Sequence, residues 1–154
     1  MTFRDDVWFR FDYAVVLLAA LAVYGVSAGP DVLWQDSGMA ILRVWRGDFE
    51  GELGLALSHP GYYLPAWLWS RIPLGGFAWR VNLFSALCGA ITVANVWLLV
   101  RRLTGDRLAA TVGSTALLVS HTFWAHAAMA EVYTLMTATL TAEWLLLTAW
   151  LGSG

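Results

Sequence analysis

The sequence predicts an all-α membrane protein with about four transmembrane helices and a short interfacial helix in its first extracytoplasmic segment. Three observations predict it. Hydrophobic residues make up 59% of the 154 and charged residues only 13%, against roughly 45–50% and about 25% in soluble domains; the mean hydropathy is +0.62. The apolar residues gather into runs near the length of a spanning helix, about 20 residues. Arginine and tryptophan mark the ends of those runs, as the charge and aromatic preferences of a bilayer interface require.

Taken in order, Arg4 and Arg10 precede an apolar run at 13–29. This run looks like a signal peptide with a weak small-residue site at Ser27-Ala28-Gly29, but it is longer than a usual leader core and is read as a retained anchor. An outer segment, 30–80, follows. It holds an amphipathic stretch at 39–45, expected to begin a helix at Gly38 or Met39 with Asp36 or Ser37 as its cap. An acidic, glycine-rich loop leads from there to His59-Pro60-Gly61. The apolar stretch 62–74 is too short to span, carries Trp67, Trp69 and Arg71, and is closed by Pro73 and Gly75-Gly76, so it is expected to lie at the interface. Spans at 81–100, 108–130 and 132–151 complete the chain, joined by an inner turn containing Arg101, Arg102 and Arg107 and an outer turn near 126–131. Glu143 interrupts the last span, near the bilayer centre, and is expected to face another helix. The chain reads as one transmembrane module over 1–154, the N-terminal portion of a longer protein.

Orientation follows from the arginines. Arg4, Arg10, Arg101, Arg102 and Arg107 fall at one end and place it in the cytoplasm. Trp8, Trp97 and Trp150 sit at the same ends, and Trp34, Trp79 and Trp124 at the opposite ones. All nine basic residues are arginine and the net charge is -2, so no basic face offers itself to nucleic acid. The absence of lysine and the abundance of Arg, Ala and Trp point to a GC-rich bacterial genome and hence an inner membrane. Cys88 lies within an apolar run and reads as a small hydrophobe.

Chemistry-bearing residues concentrate in the outer segment and outer turn. Glu131 is a site candidate by default, because a carboxylate at the edge of hydrocarbon needs water or a partner. His121, His126 and Glu131 recur every five residues, which spreads them around a helix and argues against a metal site. For Asp36, spacing alone favours the cap reading over catalysis. No H-E-x-x-H, G-x-S-x-G or P-loop motif is present.

Five ordered blocks carry a more specific signal: Trp34-Gln35-Asp36-Ser37-Gly38, His59-Pro60-Gly61-Tyr62, Arg80-Val81-Asn82-Leu83-Phe84-Ser85-Ala86-Leu87, Val100-Arg101-Arg102-Leu103-Thr104-Gly105 and Ala130-Glu131-Val132-Tyr133-Thr134-Leu135. In this order they resemble the start of the DUF2723 family, protein O-mannosyltransferase-like membrane proteins of the GT-C glycosyltransferase architecture. The resemblance implies a GT-C-like N-terminal module that transfers a sugar, mannose by analogy, from a polyprenyl-phosphate donor to an extracytoplasmic hydroxyl of a protein or glycan. No cofactor is expected, and no metal-spaced Cys/His cluster is present in the sequence. Asp36 matches the family's acidic residue and is the implied general base. Arg80 is the first choice for the donor phosphate and Arg43 the second, while Glu131, His59, His126 and Tyr133 are expected to line the same pocket. Met39 departs from the pattern, standing where the family has an acidic residue, and His59-Pro60-Gly61 has one proline where two are common. The alternative reading is a non-catalytic membrane scaffold, or a subunit of a split glycosyltransferase that pairs with partner helices or a second copy. A small transporter is a third reading, weakened by the absence of an internal repeat.

Overall fold

The computed structural model describes residues 7–33, 36–51, 54–55 and 58–152, with side chains from residue 10 onward. Arg4, Trp34, Gln35 and Glu52, and the side chain of Trp8, lie outside the described residues. The seven helices are α1 (Val7–Ser27), α2 (Asp36–Arg46), α3 (Pro60–Ser70), α4 (Phe77–Thr104), α5 (Arg107–Leu118), α6 (His121–Ala128) and α7 (Val132–Leu151). No strand occurs among the described residues.

The longest helix, α4, is the axis against which every other helix packs. It starts four residues before the expected span and stops at Gly105, whose φ of +71° is the left-handed conformation that lets its N–H reach the Arg101 carbonyl. Arg101 and Arg102 in the last turn suit the negative end of the helix dipole. Asp106 then caps α5 by accepting from the amides of Leu108 and Ala109. At this end of the bundle Arg107 pairs with Asp12 of α1 at 2.6 Å.

The interior is built from small residues and internal hydrogen bonds, the pattern expected where lipid removes the hydrophobic drive between helices. Gly89 of α4 is the tightest point: a Cβ there would stand 2.9 Å from the Cβ of Ala127 and 3.3 Å from the ring of Tyr24. Its bare backbone is what lets α1, α4 and α6 meet. Towards the other face of α4, Asn95 accepts from the Tyr13 hydroxyl of α1 and donates to the Thr141 hydroxyl of α7, while Thr92 pairs with Thr137. The threonines of α7 are thus partly spent on α4.

Two expectations are revised. The stretch 108–130 is not one straight span: α5 and α6 meet at a bend of 63°. Neither Pro nor Gly causes it. The Tyr24 hydroxyl of α1 donates to the Leu118 carbonyl at 3.0 Å, replacing the bond that continued helix would have made. Four transmembrane helices are likewise more than the structure supports. Among the described residues two helices, α1 and α4, are long and apolar enough to cross a membrane, and a third crossing results if α5 and α6 are taken as one. Helix α7 forms over the expected residues, but five threonines and Glu143 dilute its apolarity. Trp97 also departs from the interfacial pattern, being buried against α5 with its indole N–H on Thr111.

The interfacial stretch folds as α3, entered through Pro60 at its first turn, where a missing amide costs nothing. Both α2 and α3 lie against the N-terminal end of α4, beside the end of α1 and the start of α7, and enclose a hydrophobic cluster around Ile41, Val44, Tyr62, Tyr63, Val81 and Phe84.

Candidate functional site

Two polar residues of α4, one helical turn apart, organise this end of the molecule. Asn82 is fully buried. Its amide donates to the carbonyls of Gly29 (2.8 Å) and Asp31 (3.1 Å), and its oxygen accepts from the Ala130 amide at 2.8 Å. One side chain therefore ties the end of α1, the approach to α2 and the turn before α7 to the central helix. A direct bond from the Gly29 amide to the Ala128 carbonyl at 2.8 Å closes the same junction. Ser85 grips the next residue: its hydroxyl accepts from the Glu131 amide at 3.1 Å and lies 3.3 Å from the Glu131 carbonyl, while Tyr62 of α3 meets it at 3.0 Å.

Held this way, Glu131 stands in extended conformation immediately before α7 and is 8% exposed. Its side chain enters a cavity of about 210 Å³ whose other polar walls are Asp36, Arg43, His59, Tyr63 and Tyr133. Helix α2 starts at Asp36 rather than at Gly38 or Met39, which puts the Asp36 carboxylate in the first turn instead of at the cap. An acid there suits the positive end of the helix dipole, and Arg43 and Arg46 suit the other end. Asp36 is exposed to the cavity, and among the described residues no hydrogen-bonding group engages it.

Arg43 projects two turns further along α2. Its guanidinium stands 5.4 Å from the centre of the Tyr63 ring and donates to Ser58, which in turn donates to the Phe49 carbonyl. Gly51, at φ +69°, passes so close that a Cβ would lie 2.7 Å from the guanidinium carbon. The loop between α2 and α3 thus folds over the arginine and aims it. His59 is exposed at the start of α3, its carbonyl accepting from the Tyr62 and Tyr63 amides. Burial raises the pKa of the Glu131 carboxyl above the ordinary glutamate value; the charge of Asp36 adds to the rise and His126 opposes it.

Five of the seven residues singled out in the sequence, Asp36, Arg43, His59, Glu131 and Tyr133, share this cavity. Met39 lines it as well. His126 does not face it: its ring packs behind Tyr133 at 5.0 Å and borders a neighbouring, mostly apolar groove on α6 and α7. Arg80 is set apart altogether. It lies beyond α2, donating to the Ile72 carbonyl at 2.9 Å with its guanidinium near Phe77.

The model of the protein O-mannosyl-transferase TMEM260 N-terminal domain matches residues 55–153. The chain belongs to this family. The matched stretch runs through α3–α7 and so includes His59, Glu131 and Tyr133, whereas Asp36 and Arg43 precede it. No curated protein and no solved structure matches the chain. Membership of an O-mannosyltransferase family and the apolar helices agree with a membrane-embedded glycosyltransferase-like protein.

The positioning residues Asn82, Ser85, Tyr62 and Tyr63 were not among the sequence candidates. The first two had a visible signal: an amide and a hydroxyl three residues apart at the head of an apolar run share one helix face and must find partners in a neighbouring helix.

Proposed function

We propose that the chain forms the acceptor-side portion of a GT-C-type membrane glycosyltransferase of the DUF2723 group, moving mannose from a polyprenyl-phosphate donor to a hydroxyl of a protein or glycan on the extracytoplasmic face of a bacterial inner membrane. The observation that carries the reading is the shared cavity. Two carboxylates and an arginine converge there at the end of a helical bundle, in a chain of an O-mannosyltransferase family.

In this reading Asp36 removes the acceptor hydroxyl proton while the hydroxyl oxygen attacks the anomeric carbon. The bond from that carbon to the phosphate oxygen breaks with inversion, and its electron pair leaves on the polyprenyl phosphate. Arg43 offsets the charge growing on that phosphate, a planar guanidinium being suited to two phosphate oxygens at once. Glu131, whose carboxyl burial raises in pKa, hydrogen-bonds a sugar hydroxyl, and His59 and Tyr133 border the acceptor side. Asp36→Asn in the full protein is expected to lower transfer from a lipid-linked donor by about 10² or more, with unfolding temperature unchanged because Asp36 is exposed. Normal transfer by this variant refutes the assignment. Arg43→Lys keeps the charge but loses the planar fork, and is expected to raise the donor KM with less effect on kcat.

Glu143 supports a second reading. It is exposed on α7 between apolar positions, where a carboxylate at membrane depth calls for a partner. A helix of another subunit or a second copy would supply one. Crosslinking from a cysteine at position 143 in membranes tests this, and a strictly monomeric, uncrosslinked product rejects it.

A further inference from the structure

Arg80, which the carboxylate cavity leaves aside, borders a second hollow of about 330 Å³ on the opposite flank of α2. Trp45, Trp67, Arg71 and Phe77 complete its functional lining. The two spaces have no lining residue in common: Ala40 and Arg43 face the cavity, Val44 and Trp45 the hollow. Among the described residues no carboxylate lines the hollow, and neither Arg71 nor Arg80 has an ion pair. Each guanidinium instead rests near an aromatic ring, Arg71 at 4.2 Å from the Trp67 centre and Arg80 at 5.6 Å from that of Phe77. The Nε–H of Arg80 is buried with no acceptor, a state that costs stability unless something supplies one. Of its lining, Trp45 is exposed, as are the apolar residues Leu64 and Leu68 of α3 and Ile72 and Leu74 in the segment that follows Arg71.

We infer that this hollow is a binding site for the phosphate headgroup of an anionic phospholipid. Two arginines without counter-charges among the described residues, two tryptophans, and exposed apolar side chains on α3 and the segment after it make the set of groups that sits at headgroup level, where basic side chains attract anionic lipid and indoles prefer the boundary. A guanidinium pair matches phosphate oxygens in geometry as well as in sign. Bulk phospholipid, rather than the sugar donor, fits the hollow, because a phosphate here lies across α2 from Asp36 and Glu131. The lipid therefore fastens α2 and α3 to the membrane surface from the side away from the reacting groups.

The test uses the full protein in detergent, titrated with phosphatidylglycerol or phosphatidylcholine and read by native mass spectrometry. Arg71→Gln is the primary variant, since Arg71 is exposed and makes no side-chain hydrogen bond among the described residues. Phosphatidylglycerol binding is expected to weaken about fivefold in Arg71→Gln and about 25-fold with Arg80→Gln added, while phosphatidylcholine binding stays level. Unchanged phosphatidylglycerol affinity in a folded Arg71→Gln protein overturns the inference. Displacement of the lipid by inorganic phosphate overturns it in favour of a free-phosphate site. Parallel loss of polyprenyl-phosphate binding and of sugar transfer in Arg71→Gln also overturns it, by assigning the hollow to the donor, and leaves the reading of Asp36 intact.

Discussion

Replacing Asn82 by alanine removes three hydrogen bonds at once and strips the junction that sets both carboxylates. The Gly29 carbonyl and the Ala130 amide are buried and keep no substitute partner once the amide is gone. Interhelical hydrogen bonds within membranes are worth about 0.6 kcal/mol on average and up to roughly 1.7. Three of them place the cost of Asn82→Ala at about 2–5 kcal/mol. The assay is reversible unfolding in mixed micelles with increasing denaturing detergent, comparing wild type, Asn82→Ala and Asn82→Asp. Aspartate retains an oxygen for the Ala130 amide but sets a second acceptor against the Gly29 and Asp31 carbonyls, so it is expected to be no better than alanine. A loss below about 0.5 kcal/mol for alanine, or an aspartate variant as stable as wild type, refutes the account of Asn82 as the joint of this end of the bundle.

Other consequences are open to direct measurement. Because the folded-state pKa of Glu131 is raised, the native state holds its proton more tightly than the unfolded chain; the associated stability is present at low pH and is lost as pH rises from the ordinary glutamate value through the folded one. Glu131→Gln is expected to flatten that part of the stability–pH curve, and an unchanged curve shows that the titration belongs elsewhere. Gly89→Ala forces a Cβ to within 2.9 Å of Ala127 and is expected to destabilise by about 1–3 kcal/mol in the same micelle assay, with Ala127→Gly in the double variant restoring part of the loss.

The helices were legible in the sequence wherever long apolar runs or a cap announced them: α1, α4 and α7 fall on the expected stretches, and α3 lies where a run too short to span is entered through Pro60. The bend between α5 and α6 was not, because its cause is a hydroxyl 94 positions away in the chain, that of Tyr24 on the Leu118 carbonyl. Asp36, Arg43, His59, Glu131 and Tyr133 were readable as chemistry at one end of the molecule. Their convergence was not, since it depends on how Asn82 and Ser85 hold the turn before α7. Arg80, expected beside them, lines the hollow on the other side of α2, because position along the chain fixes its depth but not the side of α2 on which it emerges.

The span of sequence that Asn82 and Ser85 bridge also sets an order of assembly. Asp36 is made before its cavity has walls, and at about 5–20 residues per second roughly 5–20 s pass before Glu131 follows it. During that interval α4 carries an amide and a hydroxyl whose partners on the far side have not been synthesised, and only the Gly29 and Asp31 carbonyls are available to occupy Asn82. A nascent chain at this stage holds Asp36 on a short helix with Arg43, His59 and Tyr63 already made but without the Glu131, Val132 and Tyr133 side of the cavity. Docking of the turn before α7 onto α4 is then the event that brings Asp36 and Glu131 to one cavity.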